Sequence, residues 1–172
     1  TPLVIQDAVY VGAYDNNLYA LNATDGKFLW KYATDGGLPG RPAFLGGTVF
    51  VGSEDGDLHA ITARNGRLSW AYHTDGPIRS SPRLVEGVIL IGSDDGYMHA
   101  VNSQTGRRVW RSETGGAVRS TPSISDARIF VGCESGDFYS LDFSGNLKWR
   151  FAAKRAITSS PVLAEGMVYF GS

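Results

Sequence analysis

Apolar residues along this chain fall in short runs separated by Gly, Asp, Asn, Ser and Pro, and no stretch keeps helical spacing over three turns. One portion shows the grammar. Arg41–Leu45, Val49–Ser53, Leu58–Thr62 and Leu68–His73 are each short, rich in β-branched and aromatic residues, and bounded by turn formers, so each predicts a strand. The second run of each set, Val49-Phe50-Val51 or Ile129-Phe130-Val131, is apolar at consecutive positions, as a strand covered on both faces must be. The segments Glu54-Asp55-Gly56-Asp57, Asp94-Asp95-Gly96 and Glu134-Ser135-Gly136-Asp137 predict tight hairpins between second and third strands, with Asp15-Asn16-Asn17 as their counterpart near the start.

This grammar repeats. Prolines at 2, 42, 82, 122 and 161 open successive units 40, 40, 40 and 39 residues long, and Gly12, Gly52, Gly92, Gly132 and Gly171 close the second strand of each. The third strands read Leu-Tyr-Ala-Leu (18–21), Leu-His-Ala-Ile (58–61), Met-His-Ala-Val (98–101) and Phe-Tyr-Ser-Leu (138–141). Each leads through Gly26, Gly66, Gly106 or Gly145 to Trp30, Trp70, Trp110 or Trp149. Four short strands per 40 residues is the period of a propeller blade. A single blade cannot cover its own two apolar faces, so blades must stack, and the four tryptophans are expected in the wedges between neighbours. The expected fold is all-β, a β-propeller of four-stranded antiparallel blades with four complete repeats and a partial fifth. It forms one domain over residues 1–172, with blades at about 1–37, 38–77, 78–117, 118–156 and a partial one at 157–172.

Composition narrows the partners. Sixteen basic against seventeen acidic residues give a net charge of −1, which argues against nucleic acid, whose binding draws on a surplus of positive charge. No apolar run approaches the length of a membrane helix, so no membrane insertion is expected, and the opening Thr1-Pro2-Leu3-Val4-Ile5 lacks the basic start of a signal peptide. One cysteine, Cys133, permits neither an internal disulfide nor a thiolate metal cluster.

The run Ala20-Leu21-Asn22-Ala23-Thr24-Asp25-Gly26-Lys27-Phe28-Leu29-Trp30, and again His99-Ala100 through Thr105-Gly106, Trp110 and Gly115, resembles the tryptophan-docking repeat of the pyrroloquinoline-quinone-type (PQQ-like) β-propeller family. The fourth unit departs from it, with Ser140 for Ala and no Gly after Trp149. The Trp-Asp propeller repeat does not fit, because the tryptophans are followed by Lys31, Ala71, Arg111 and Arg150. The resemblance implies a ring of seven or eight blades, so the chain reads as a portion of a longer propeller, with a homodimer completing the ring in trans as the alternative. It also implies a non-catalytic scaffold or binding module with a protein or peptide partner, similar to the outer-membrane β-barrel assembly lipoprotein, in a periplasmic or extracellular setting. Two alternatives follow from the same resemblance: the sensor domain of a bacterial receptor or Ser/Thr kinase, and a fragment of a quinone-dependent dehydrogenase.

The dehydrogenase needs adjacent cysteines, a channel tryptophan and Glu, Asn and Asp calcium ligands. Cys133 stands alone before Glu134 and the tryptophans occupy the repeat position, so no PQQ, calcium or enzymatic activity is expected. The acidic hairpins read as turns, since calcium takes 6–8 oxygens. His59 and His99 sit at equivalent strand positions and read as packing residues, and Cys133 fills the small-residue slot of Ala13, Ser53 and Ser93. No nucleophile elbow, zinc-protease motif or phosphate loop occurs. If the family's strand order holds, Arg41, Arg79, Arg119 and Arg155 gather near the channel mouth as candidate partner-binding residues, with the acidic hairpins further out.

Overall fold

The strand pattern is realised in the computed structural model, which describes residues 1–172. Four sheets of four strands are followed by one of two, all antiparallel and ordered as simple meanders. The first holds β1 (Leu3–Ile5), β2 (Ala8–Gly12), β3 (Asn17–Asn22) and β4 (Phe28–Ala33). The second holds β5 (Ala43–Leu45), β6 (Thr48–Gly52), β7 (Asp57–Thr62) and β8 (Leu68–His73). The third holds β9 (Arg83–Val85), β10 (Val88–Gly92), β11 (Tyr97–Asn102) and β12 (Arg108–Glu113). The fourth holds β13 (Ser123–Ser125), β14 (Arg128–Gly132), β15 (Asp137–Asp142) and β16 (Leu147–Ala152). The fifth pairs β17 (Val162–Ala164) with β18 (Met167–Tyr169). The chain is thus all-β, with four complete blades and a partial fifth.

In the second blade the bounds of β6 and β7 shift by one residue from the sequence expectation, and one boundary moves by two. The inner strand of the second blade starts at Ala43 rather than Arg41. Pro42 has no N–H to give a ladder, and the Arg41 N–H is donated to Ser81 Oγ of the next blade at 2.9 Å. The first strands are accordingly only three residues long.

The core lies between blades rather than within them. Leu18, Ala20 and Trp30 of the first blade pack with Val49, Val51 and Ile61 of the second. Phe50, Leu58 and Ala60 pack with Ile89, Ile91 and Val101. Leu90, Met98 and Ala100 pack with Ile129, Val131 and Leu141. Strands β6 and β10 are therefore buried on both faces, which explains why their sequences do not alternate.

The tryptophans fix how neighbouring blades approach. Each third–fourth strand pair shifts register just past the small residue opposite the tryptophan, so that Ala20 faces Trp30 and Leu21 faces Phe28. This bulge sits beside the indole, whose N–H donates to the carbonyl of the next blade's turn: Trp30 Nε1 to Ala63 O at 2.8 Å and Trp110 Nε1 to Phe143 O at 2.8 Å. The ring lies on a turn glycine. A Cβ on Gly66, Gly106 or Gly145 would come within 2.7 Å of Trp30, Trp70 or Trp110, and all three glycines have positive φ. Only glycine meets both demands. Trp149 holds the same register on β16 and is 40% exposed, against 8% for Trp30.

Candidate partner-binding surface

The segments that carry the chain from one blade into the next lie over the hairpins between second and third strands. Leu38 N–H donates to Ala13 O, and Glu54 N–H donates to Gly37 O. The same pair of bonds recurs through Ile78 and Asp94, and through Val118 and Glu134. Entry segments and acidic hairpins therefore share one face of the propeller.

On that face two of the four candidate arginines are bound into a ladder. Arg79 donates through Nε to Glu54 at 2.8 Å and through Nη1 to Asp94. Arg119 donates to both oxygens of Asp94 at 2.9 Å, and through Nη1 to Glu134. The row Glu54–Arg79–Asp94–Arg119–Glu134 thus alternates charge across three blades. The Asp94 carboxylate, by accepting from Arg119, raises that guanidinium above its already high range.

The other two arginines are not part of this ladder. Arg155 follows the fourth blade and occupies the register of Gly116, where the three preceding junctions require glycine against the next hairpin's backbone. Arg41 stands two residues beyond the register of Arg79 and Arg119, immediately before the inner strand. It lines a concave groove of about 610 Å³ with Thr1, Ser81, Arg83, Thr121 and Ser160. Sequence grouping by residue type thus joined positions that the repeat register separates.

A second network ties the blades further out. His99 accepts or donates on both ring nitrogens: Tyr72 Oη lies 2.9 Å from Nδ1, and Asp95 Oδ2 lies 3.0 Å from Nε2. These partners assign the neutral tautomer, with Nε2–H donating to the carboxylate and Nδ1 accepting from the phenol. Burial holds the His99 pKa below the ordinary histidine range, and Arg111 and Arg108 add to that push while Asp95 opposes it. Tyr32, His59 and Asp55 form the same relay one blade earlier, at 3.2 Å on each nitrogen. At the third junction Ser112 replaces the first tyrosine and Tyr139 replaces the histidine. The Tyr139 hydroxyl donates to Thr114 O at 2.6 Å, and burial pushes its pKa up to about 12.

Asp55, Asp57 and His59 bring their ligand atoms within 4.8 Å of one another, but both His59 nitrogens already have partners in the relay. Cys133 is buried, with its sulfur 3.1 Å from Thr114 O and 3.0 Å from Ser135 Oγ. Asp55, His59 and Cys133 bond to the preceding blade, while Asp57 pairs with His73 of its own. The sequence reading missed Arg83 and the hydroxyls of Ser81, Thr121 and Ser160. The signal was present, since the residue before each opening proline is Thr1, Arg41, Ser81, Thr121 or Ser160.

Meandering four-stranded sheets, inter-blade tryptophans on turn glycines and a shared groove across the inner strands define a β-propeller of PQQ-like repeats. The family of the outer membrane protein assembly factor BamB matches residues 1–114 and 94–172, and the chain belongs to that family. Many solved structures share the fold, two of them as follows. The computationally designed Ika8 protein matches at a TM-score of 0.85 and 17% identity, over 99% of this chain and 54% of that one. BamB from Moraxella catarrhalis matches at 0.66 and 23% identity, over 99% of this chain and 66% of that one. The chain therefore spans about half the length of the first and about two thirds of the second. No curated protein matches it.

Proposed function

We propose that this chain is a non-catalytic propeller scaffold that presents its hairpin face to a protein or peptide partner, in a role similar to that of an outer membrane protein assembly factor. One observation carries the reading. On that face the groups capable of chemistry at the blade junctions are committed to bonds within the protein: both nitrogens of His59 and His99, the guanidiniums of Arg79 and Arg119, and the buried thiol of Cys133. What remains is a rigid row of backbone turns edged with charge, which suits recognition by shape and electrostatic complementarity.

A photoreactive side chain at Asp75 or Glu113, both exposed beside the hairpins, is expected to crosslink to a purified component of outer-membrane β-barrel assembly. The same group at Asn65, on the turn at the opposite end of the strands, is expected to give no product. Equal labelling from both faces, or none from either, would overturn the reading, as would calcium-dependent quinone binding accompanied by dye reduction.

A further inference from the structure

The inner strands carry a second surface, built independently of the hairpin face. Residues from all five blades line the groove that contains Arg41, and none of them is acidic. Its backbone is laced across blades through hydroxyls. Arg41 N–H donates to Ser81 Oγ at 2.9 Å, Ser81 N–H to Thr121 Oγ1 at 3.3 Å, and Thr121 N–H to Ser160 Oγ at 3.0 Å.

This lacing polarises the row. Each hydroxyl has one hydrogen to give and two lone pairs to receive with. Here a lone pair on each oxygen is taken by the preceding blade's N–H, while none of the three hydroxyl hydrogens has an acceptor within the protein. Donating onward would complete each of them.

Two cations flank the row. Arg41 and Arg83 have no carboxylate partner, and both line this concavity. The groove therefore offers donors and positive charge with no competing carboxylate, in a chain whose overall charge is −1. A guanidinium and a hydroxyl both present N–H or O–H to an oxyanion, and charge-assisted bonds of this kind are the stronger class.

We propose that the concave groove is an oxyanion-binding site, in which Arg41 and Arg83 supply charge and Ser81, Thr121 and Ser160 supply O–H donors to a phosphate or carboxylate group of a small ligand. The site goes beyond the scaffold reading and can stand or fall without it.

The test is a titration of the whole chain, followed by backbone amide NMR at constant ionic strength, with inorganic phosphate in one arm and succinate in the other. Saturable shifts are expected at residues 41, 81, 83 and 121. Tighter saturation by phosphate assigns a phosphoryl ligand, and tighter saturation by succinate a carboxylate one. Arg41→Gln with Arg83→Gln is expected to weaken binding at least tenfold while leaving shifts elsewhere in the spectrum in place. Arg67→Gln, an exposed arginine on an outer turn, is expected to change nothing. Linear shifts that never saturate, or saturation unaffected by the double substitution, would overturn the site.

Discussion

At the scale of single residues, the buried His99 makes stability depend on pH in a direction its surroundings fix. Neutral His99 satisfies Tyr72 and Asp95 together, and burial lowers its pKa in the fold. The unfolded chain therefore binds more protons than the folded one just below the ordinary histidine pKa of about 6.5. The stabilisation is complete above that value and is lost as the pH falls through the lower, folded pKa. The groups facing the ring are Asp95, Tyr72, Tyr97, Arg108 and Arg111. The third junction supplies the control. Replacing Tyr72→Ser together with His99→Tyr copies the pairing of Ser112 with Tyr139, and is expected to flatten the fall in urea midpoint between pH 7.5 and about 5.5. An unchanged slope would show that the acid sensitivity arises elsewhere. The histidines were legible in sequence as equivalent packing positions. Their relays were not, because the tyrosine comes from the preceding blade, 27 residues away, and its hydroxyl has no local signature.

At the scale of elements, the junction between blades carries the stability. Trp70 lies on Gly106 and borders Phe50. Trp70→Ala removes a large side chain from the wedge, and a loss of about 3 kcal/mol is expected by chemical denaturation. Gly106→Ala tests the same contact from the other side, where positive φ and the indole both resist a Cβ, and a cost of about 1–3 kcal/mol is expected. If either substitution proved neutral, the tryptophan would not be setting the spacing. The ion ladder should matter less. Asp94→Asn disturbs bonds to both Arg79 and Arg119, but those guanidiniums are about one third exposed, so solvent screening limits the loss to about 1 kcal/mol, shrinking further in high salt. Strand order, blade period and tryptophan register could all be read from the repeat, since they follow from local pattern. The ladder could not, because Glu54, Arg79 and Asp94 belong to different hairpins and entry segments that meet only when blades stack.

At the scale of the whole molecule, nearest-neighbour packing means that each blade is only as stable as the faces pressed against it. Strands β6 and β10 are covered on both sides, β2 is half-buried along most of its length, and β16 and β18 are largely exposed. Opening should therefore be graded along the chain rather than uniform. Amides of Val49–Val51 and Ile89–Ile91, which sit at 0–1% exposure, are expected to exchange only through the largest openings. Val168 and the β16 amides should exchange through small local ones. Hydrogen exchange read by mass spectrometry would show the ranking directly. The mechanism makes a sharper demand: Trp70→Ala should raise exchange in β6 and β10 together, since it opens the wedge between the second and third blades, while leaving β14 nearly unchanged. If β14 accelerated by the same factor, the blades would be unfolding as one cooperative unit, and the energy of each junction would be shared around the arc instead of residing where the tryptophan docks.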